Sequence, residues 1–426
     1  MASHAHDRAV SRIERLAPEL VALSHRVHGA AELGFAETTS VAEVARLLRA
    51  SGFEAEVGGY GLATALRASA GHGRPAVGVL AEYDALPDIG HGCGHNVICA
   101  TAVGAFLGVA EALTGAEGPA GPAGPAGSVV LFGTPAEENG SGKEIMARAG
   151  AFDELDAVLM LHPSAGQTVA DVRNQGLRSV EVTYHGVPAH AAAAPEQGRN
   201  ALDALVAAYQ GIAALRQHIG MRERVHGVII EGGQAANVVP VRARGRFLLR
   251  SPDEAALAAL SRRVHRILEG AALMTETRLE ATWDQVPPCL PIRGSAVLAE
   301  RFAAHYTDRG HQVTANGEGL GSTDLGNISL RVPAIHPMVG IAPAGVALHT
   351  AEFAEHAAAA PADAAVVDGA VALALSAVDF LADAELRAAA RAEFDARGGY
   401  VDVPALMAPP HGATAPTTGA TPTKEP

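Results

Sequence analysis

The sequence is short of cysteine, of aromatic residues and of positive charge, and each shortage rules something out. Only three cysteines, Cys93, Cys99 and Cys289, occur in 426 residues. An odd, small number in so long a chain does not make a disulfide framework. Aromatics are 4% of the chain, with a single tryptophan, while hydrophobic residues reach 48%. The core is therefore expected to consist of alanine, valine and leucine. Lysine and arginine number 32 against 46 acidic residues, a formal net charge of −14. Phosphate binding needs a basic face, so this balance argues against nucleic acid as a general partner. Long apolar runs are also missing. None reaches the ~18 residues of a spanning helix, because charges interrupt the alanine-rich segments. The opening Met1-Ala2-Ser3-His4-Ala5-His6-Asp7-Arg8 lacks the apolar core of a signal peptide. Together these absences predict a cytoplasmic protein without a membrane partner.

The length exceeds that at which one hydrophobic core stops growing, so two domains are expected. Apolar positions at helical spacing (Val10, Ile13, Leu16, Leu20, Leu23, Val27) predict one helix over residues 8–29. A second helix is expected from Thr39 to Ala50, short strands near 54–57 and 63–67, and a buried strand at 76–81. A long apolar helix from Val97 to Leu113 follows, then strand 128–132, helix 143–149 and strand 157–161. This alternation predicts an α/β catalytic domain with a mostly parallel sheet and helices on both faces. It covers residues 1–175 and resumes over 286–404. Between them, residues 176–285 read strand-helix-strand-strand-helix-strand, the ferredoxin-like order of an inserted α+β domain. The Gly-Pro-Ala run at 118–127 is far too short for a collagen helix and is expected to be a surface loop. Residues 405–426, rich in proline, alanine and threonine, are expected to be a disordered tail.

The residues that carry chemistry collect after strand ends. In His91-Gly92-Cys93-Gly94-His95-Asn96, a thiol and an imidazole stand two residues apart beside glycines that let the backbone bend sharply. Such a pair suits a borderline-soft cation. Taken alone, the stretch is equally a glycine-rich turn. Glu137-Glu138 alone is equally a solvated helix start, and His162 or His349 alone a satisfied histidine. In a parallel α/β architecture, however, strand C-termini share the edge where such sheets place their sites. Cys93/His95, Glu137/Glu138, His162 and His349 would meet there. One thiol, three imidazoles and two adjacent carboxylates exceed what one divalent cation needs, and suit two cations that share ligands. Neighbouring glutamates on a turn point in different directions, so one can hold metal while the other serves as a base.

With these motifs in place, the chain resembles the aminoacylase/glutamate-carboxypeptidase family of two-metal peptidases. It is most similar to the amidohydrolase branch that holds auxin-conjugate hydrolases, p-aminobenzoyl-glutamate hydrolases and β-alanyl dipeptidase-like proteins. The resemblance rests on Ala81-Glu82-Tyr83-Asp84-Ala85-Leu86-Pro87, the stretch 91–96, Thr134-Pro135-Ala136-Glu137-Glu138 and Leu161-His162-Pro163. It continues through Gly186-Val187-Pro188-Ala189-His190-Ala191-Ala192, Asn237-Val238-Val239-Pro240, Gly321-Ser322-Thr323-Asp324 and Leu348-His349-Thr350, and so spans nearly the whole chain.

The resemblance implies that Cys93, His95, Glu138, His162 and His349 ligate two divalent cations. Zinc is the expected ion, with manganese, cobalt or nickel compatible. It also implies that Glu137 is the general base and that Asp84 orients a ligand from behind. His190 would stabilise the oxyanion, reaching the site of the partner in a homodimer formed through the inserted lid domain. Asn237 and Arg250 would recognise polar groups of the substrate. The implied reaction is hydrolysis of the amide bond of a small N-acyl amino acid or dipeptide. The alternatives are an amidase for a conjugate such as an aminobenzoyl-glutamate, and a metal-bearing binding subunit without hydrolysis. Against the latter stands the intact Glu137-Glu138 pair. Three departures from the branch stand out: Asn96 where Asp is frequent, Glu82 where the acidic motif commonly begins with Asp, and Thr323-Asp324 where Glu-Asp is common. They point toward the β-alanyl dipeptidase-like and aminobenzoyl-glutamate side. Apart from the resemblance, Asn237 also reads as a turn former, Arg250 as a surface cation and His190 as a cap for the alanines after it.

Overall fold

Every residue of the strand Ala76–Ala81 is buried, so it requires cover on both faces. Its side chains alternate between two cores, as a pleat dictates. Val77, Val79 and Ala81 enter one core, while Ala76 and Leu80 enter the other. The neighbouring strands do the same: Val129, Leu131, Ala157 and Leu159 face the first core, and Val130, Phe132 and Val158 the second. A continuous apolar strand thus becomes the centre of a sheet with helices on either side.

The computed structural model describes residues 2–114, 125–319 and 321–413. The expectations for most of the Gly-Pro-Ala run and for residues 414–426 lie outside them. The described residues form two compact units. The first comprises residues up to 173, then 292–319 and 323–401; the second comprises 174–291, 321–322 and 402–413.

The first unit begins with α1 (Ala2–Arg15), α2 (Ala17–Ala30) and α3 (Thr38–Ala50), then β1 (Glu56–Gly59), β2 (Leu62–His72) and β3 (Ala76–Ala81). It continues through α4 (His95–Leu113), β4 (Gly127–Gly133), α5 (Glu137–Gly140), α6 (Gly142–Arg148), β5 (Ala157–Leu159), β6 (His162–Ala165) and β7 (Thr168–Arg173). The second unit supplies β8 (Gly176–His185), α7 (Ala201–Leu215), β9 (Arg224–Glu231), β10 (Arg242–Ser251), α8 (Glu254–Thr275) and β11 (Arg278–Trp283). The first unit resumes with α9 (Ala296–Asp308), β12 (Val313–Glu318), α10 (Leu325–Ser329), β13 (Ala334–Ile335) and β14 (Met338–Ala342). It closes with α11 (Ala351–His356), α12 (Ala360–Ala382) and α13 (Ala384–Ala396), and α14 (Val403–Leu406) belongs to the second unit.

The main sheet runs β1-β2-β4-β3-β5-β13. Its β4, β3, β5 and β13 are mutually parallel, while β1 and β2 add antiparallel pairs at one edge. A smaller sheet runs β12-β7-β14-β6. In the second unit the order is β11-β8-β10-β9, antiparallel throughout, which is the ferredoxin-like arrangement. The fold class is therefore the expected one, an α/β unit plus a ferredoxin-like α+β unit.

Four details differ from the sequence reading. The first helix is two: Pro18 lies in the first turn of α2, and the chain breaks at Leu16 because a proline ring cannot continue a helix. The strand expected over 157–161 stops at Leu159, and the chain enters a different sheet at His162. His162 thus opens a strand rather than following one. Among the described residues, α4 and α12 are long and apolar enough to cross a membrane, contrary to the reading of interrupted runs. Their apolar windows are 89% and 72% buried within the fold, and they pack on each other. A Cβ on Gly104 would stand 2.8 Å from Ala370 Cβ, so the close approach of the two helices depends on glycine there. Lastly, residues 405–413 are placed, not disordered. Met407 is buried, and the His411 carbonyl lies 3.1 Å from His265 Nε2.

The second unit is held to this last segment by Arg178, which is buried. Its Nε donates to Asp284 at 2.8 Å, a second nitrogen donates to the Met407 carbonyl, and the guanidinium lies 4.7 Å over the Trp283 ring. Removing one partner of a buried ion pair costs about 3–5 kcal/mol. Arg178→Met is expected to destabilise the second unit by that amount and to expose 402–413 to protease. Urea unfolding followed by Trp283 fluorescence, with limited proteolysis, checks both.

Candidate metal centre

Four segments of the first unit build the site. The loop after β3 carries Glu82, Asp84 and Cys93 and runs into His95, the first residue of α4. Gly94 between the two candidate ligands has φ +78°, and a Cβ there would lie 2.5 Å from Pro163 Cγ. Only glycine permits that turn against the residue beside His162. After β4, Ala136 adopts φ +57° immediately before Glu137 and Glu138. His162 opens β6. His349, at φ +63°, donates its backbone N–H to the Gly92 carbonyl at 2.8 Å, which fastens its loop to the first. A left-handed non-glycine residue costs about 1–3 kcal/mol. Here two of them, Ala136 and His349, sit at or beside residues with metal-binding chemistry.

Asp84 lies behind the pocket, buried. His95 Nδ1 donates to its Oδ1 at 2.9 Å, and the Glu138 N–H donates to its Oδ2 at 3.0 Å. Burial raises its pKa, but His95, the Glu138 N–H and the Lys143 charge outweigh burial and keep the carboxyl below the usual range. With Nδ1 engaged, the His95 Nε2 faces the pocket. It lies 3.8 Å from Glu138 Oε1, which is 3.6 Å from His349 Nε2. Cys93 Sγ is 3.4 Å from His162 Nε2. Potential ligand atoms of Cys93, His95 and His162 lie within 4.8 Å of one another, as do those of Cys93, Glu138 and His349. The two groups share Cys93.

A cation fits this set. His95 Nε2 and Glu138 Oε1 are buried and have no hydrogen-bond partner among the described residues. An unmet buried polar atom costs about 1–3 kcal/mol. Their separations are too long for hydrogen bonds. Ligand oxygens and nitrogens about 2.0–2.2 Å from a tetrahedral ion stand about 3.3–3.6 Å apart, close to what is seen. Without a cation, burial pushes the Cys93 thiol far up, and burial with the His95 charge brings His162 down to about 4. Burial, then Glu82 and Asp324, hold the Glu137 carboxyl well above its ordinary value. Bound cations would oppose the shifts of the thiol and the carboxyl.

The structure brings together Cys93, His95, Glu138, His162, His349, Glu137 and Asp84. His190, Asn237 and Arg250 belong to the second unit. There His190 Nδ1 accepts the N–H groups of Ala192 and Ala193 at 3.3 and 3.2 Å, and the Ala191 N–H donates to the Asn237 carbonyl at 3.0 Å. Arg250 donates to Ser322 Oγ at 3.0 Å. The departure at Asn96 has a structural cause. Its amide donates to Ser24 Oγ and to the Ala357 carbonyl, both at 2.8 Å, and a carboxylate could do neither.

Three features escaped the sequence reading. Lys143 is buried between Glu82 and Asp324; no motif marked it. His336 is buried with its ring 5.5 Å from that of His162, inside a segment that reads only as apolar. Glu37 is buried below the Ala136 turn. Its Oε1 accepts the Ala136 N–H at 2.8 Å, and its Oε2 accepts the Thr64 hydroxyl at 2.7 Å.

Residues 172–275 match the model of a peptidase dimerisation domain of the M20 class. The mouse Xaa-Arg dipeptidase is 34% identical over 417 residues, which cover 91% of this chain and 91% of that protein. The chain belongs to the M20 peptidase family. It is accordingly a hydrolase of amide bonds. One of the two subunits of the Escherichia coli p-aminobenzoyl-glutamate hydrolase is another M20 relative, 35% identical over 272 residues, 60% of this chain and 55% of that one. Among solved structures, a putative aminohydrolase from methicillin-resistant Staphylococcus aureus superposes with a TM-score of 0.72 at 18% identity, covering 88% of this chain and all of that one. A Bacillus subtilis protein described as a dinuclear metal binding M20 peptidase gives 0.61 at 18% identity, covering 88% and 99%. At such identities the M20 structures share the fold.

Burial holds the Glu37 carboxyl up at about 7, against 4.5 for an ordinary glutamate. An acid raised in the folded state binds its proton more tightly there, so its contribution is full below the unfolded pKa and is lost as pH climbs through the folded one. From this group the first unit is expected to lose about 3 kcal/mol of stability between pH 4.5 and 7. Glu37→Gln should flatten that part of the profile. Urea unfolding of both proteins at pH 5 and pH 7.5 tests it, and equal losses in the two would refute it.

Proposed function

We propose that the chain hydrolyses the amide bond of a dipeptide or small N-acyl amino acid, with two divalent cations held by Cys93, His95, Glu138, His162 and His349. The observation that carries this reading is the convergence of buried, unpartnered His95 Nε2 and Glu138 Oε1 with the Cys93, His162 and His349 donors. The thiol favours zinc; the imidazoles and carboxylate also accommodate manganese, cobalt or nickel. The relatives named Xaa-Arg dipeptidase support a dipeptide substrate.

When bound, the cations supply Lewis acidity, lowering the pKa of a water and polarising the scissile carbonyl. Glu137 takes the proton of the attacking water and delivers it to the leaving amine. Asp84 orients two ligands at once, His95 through Nδ1 and Glu138 through its backbone N–H. His190 donates to the developing oxyanion. Because its Nδ1 accepts from Ala192 and Ala193, a neutral ring carries its proton on Nε2, the donor an oxyanion needs. In a homodimer built through the ferredoxin-like unit, that donor is His190 of the partner subunit. Asn237 and Arg250 bind the polar groups of the substrate, Arg250 taking a carboxylate. The similarity to the Escherichia coli p-aminobenzoyl-glutamate hydrolase favours an aminobenzoyl-glutamate conjugate as the second substrate reading.

Turnover of Xaa-Arg dipeptides, β-alanyl-lysine and p-aminobenzoyl-glutamate is to be compared on one preparation, before and after chelation. The expected result is fastest cleavage of a dipeptide, loss on chelation and return with zinc or manganese. Undiminished activity after complete metal removal would end the reading. Glu137→Gln should keep its metal content while kcat falls by roughly 10²–10⁴. Turnover near that of the wild type would remove Glu137 from the role of base.

A further inference from the structure

Behind the ligand set lies a second cluster, wholly buried, that the proposed mechanism does not use. Lys143, the second residue of α6, places its ammonium between Glu82 Oε1 and Asp324 Oδ1, the latter at 2.6 Å. Asp324 also accepts the backbone N–H of Lys143 through Oδ2 at 2.9 Å, so it grips that residue at both ends. Glu82, Lys143 and Asp324 have side chains of zero exposure. One oxygen of Glu82 is thereby fixed. The other, Oε2, is buried and has no hydrogen-bond partner among the described residues. It points at His95 Nε2, 3.4 Å away, which is itself buried and unpartnered.

Two buried polar atoms left unmet and facing each other need a common partner. A direct hydrogen bond would draw them together, as the other ring nitrogen of His95 is drawn to Asp84 at 2.9 Å. The separation of 3.4 Å matches the edge of about 3.3–3.4 Å between two nitrogen or oxygen ligands about 2.0–2.1 Å from a tetrahedral ion. The pocket carries five carboxylates, Glu82, Asp84, Glu137, Glu138 and Asp324, against the single ammonium of Lys143. Burying so many negative groups is costly without further positive charge.

We infer that Glu82 is a further metal ligand, donating Oε2 to the cation held by His95, and that Lys143 and Asp324 lock its other oxygen. Lys143 is then a positioning residue: it neutralises one carboxylate oxygen and leaves one for the metal. This rests on the metal reading proposed above.

The test uses the full chain, stripped with chelator and titrated with cobalt(II), whose visible absorption reports ligand number. The wild-type protein is expected to take two equivalents. Glu82→Gln, which keeps an oxygen for Lys143 and loses the anionic donor, is expected to weaken one of the two binding events by roughly 10–100-fold and to change its spectrum. Binding of both equivalents with unaltered affinity and spectrum would overturn the assignment of Glu82 and leave the five-ligand reading standing. If the wild-type chain bound no cobalt, both would fall. Should the Gln variant not fold by circular dichroism, Glu82→Asp serves in its place. It keeps the charge beside Lys143 but is too short for the second contact, so the same loss is expected. A crystal structure of the zinc-loaded wild-type protein decides independently: Glu82 Oε2 about 2.0–2.2 Å from a metal supports the inference, and more than about 3 Å from every metal overturns it.

Discussion

The concentration of negative charge in a dry pocket is the constraint on which the rest of this molecule depends. Several carboxylates are buried within a few ångströms of one another, and each must be answered by a proton, a hydrogen-bond donor or a cation. The protein answers some of them itself. Asp84 receives an imidazole N–H and a backbone N–H, and Lys143 answers Glu82 and Asp324 together. Glu37 is answered by a hydroxyl and the Ala136 N–H. What remains unanswered, above all Glu138 Oε1 and Glu82 Oε2, faces the same space as His95 Nε2. The residue of uncompensated charge defines the place a cation would occupy.

The architecture serves that arrangement. Apolar strands alternating between two cores give a rigid sheet, and loops beyond the ends of β3 and β4 carry the acidic residues. His95 opens α4, which is buried along almost its whole length. The candidate ligands therefore ride on the least deformable parts of the unit, which suits a site whose distances must hold to a few tenths of an ångström.

Much of this was legible in the sequence. Continuous burial of β3, the ferredoxin-like order of 176–285 and the membership of Cys93, His95, Glu138, His162 and His349 in one cluster followed from periodicity, motif and resemblance. What was not legible depended on tertiary partners. Lys143 looks like any helical lysine until Asp324, 181 residues later, takes hold of it. Glu37 carries no motif, because its purpose is to hold the N–H of Ala136, a residue far along the chain. His336 is hidden in an apolar segment, since local pattern reports burial and not neighbours. The break at Leu16 and the end of β5 at Leu159 were missed for a related reason. Helical spacing persists across Pro18, and an apolar run does not reveal that its strand changes sheets. The ordering of 405–413 depends on Arg178 and His265, which composition cannot anticipate.

The left-handed backbone at Ala136 and His349 has a bearing on how this protein could evolve or be engineered. Both positions store conformational energy that glycine would release. At Ala136 the release would slacken the turn that aims the two glutamates; at His349 it would remove a donor outright. Selection for heat resistance alone would therefore drift toward glycine at the two places where doing so erodes the pocket. The stability forgone there measures what the chain gives up to keep its charges aimed inward.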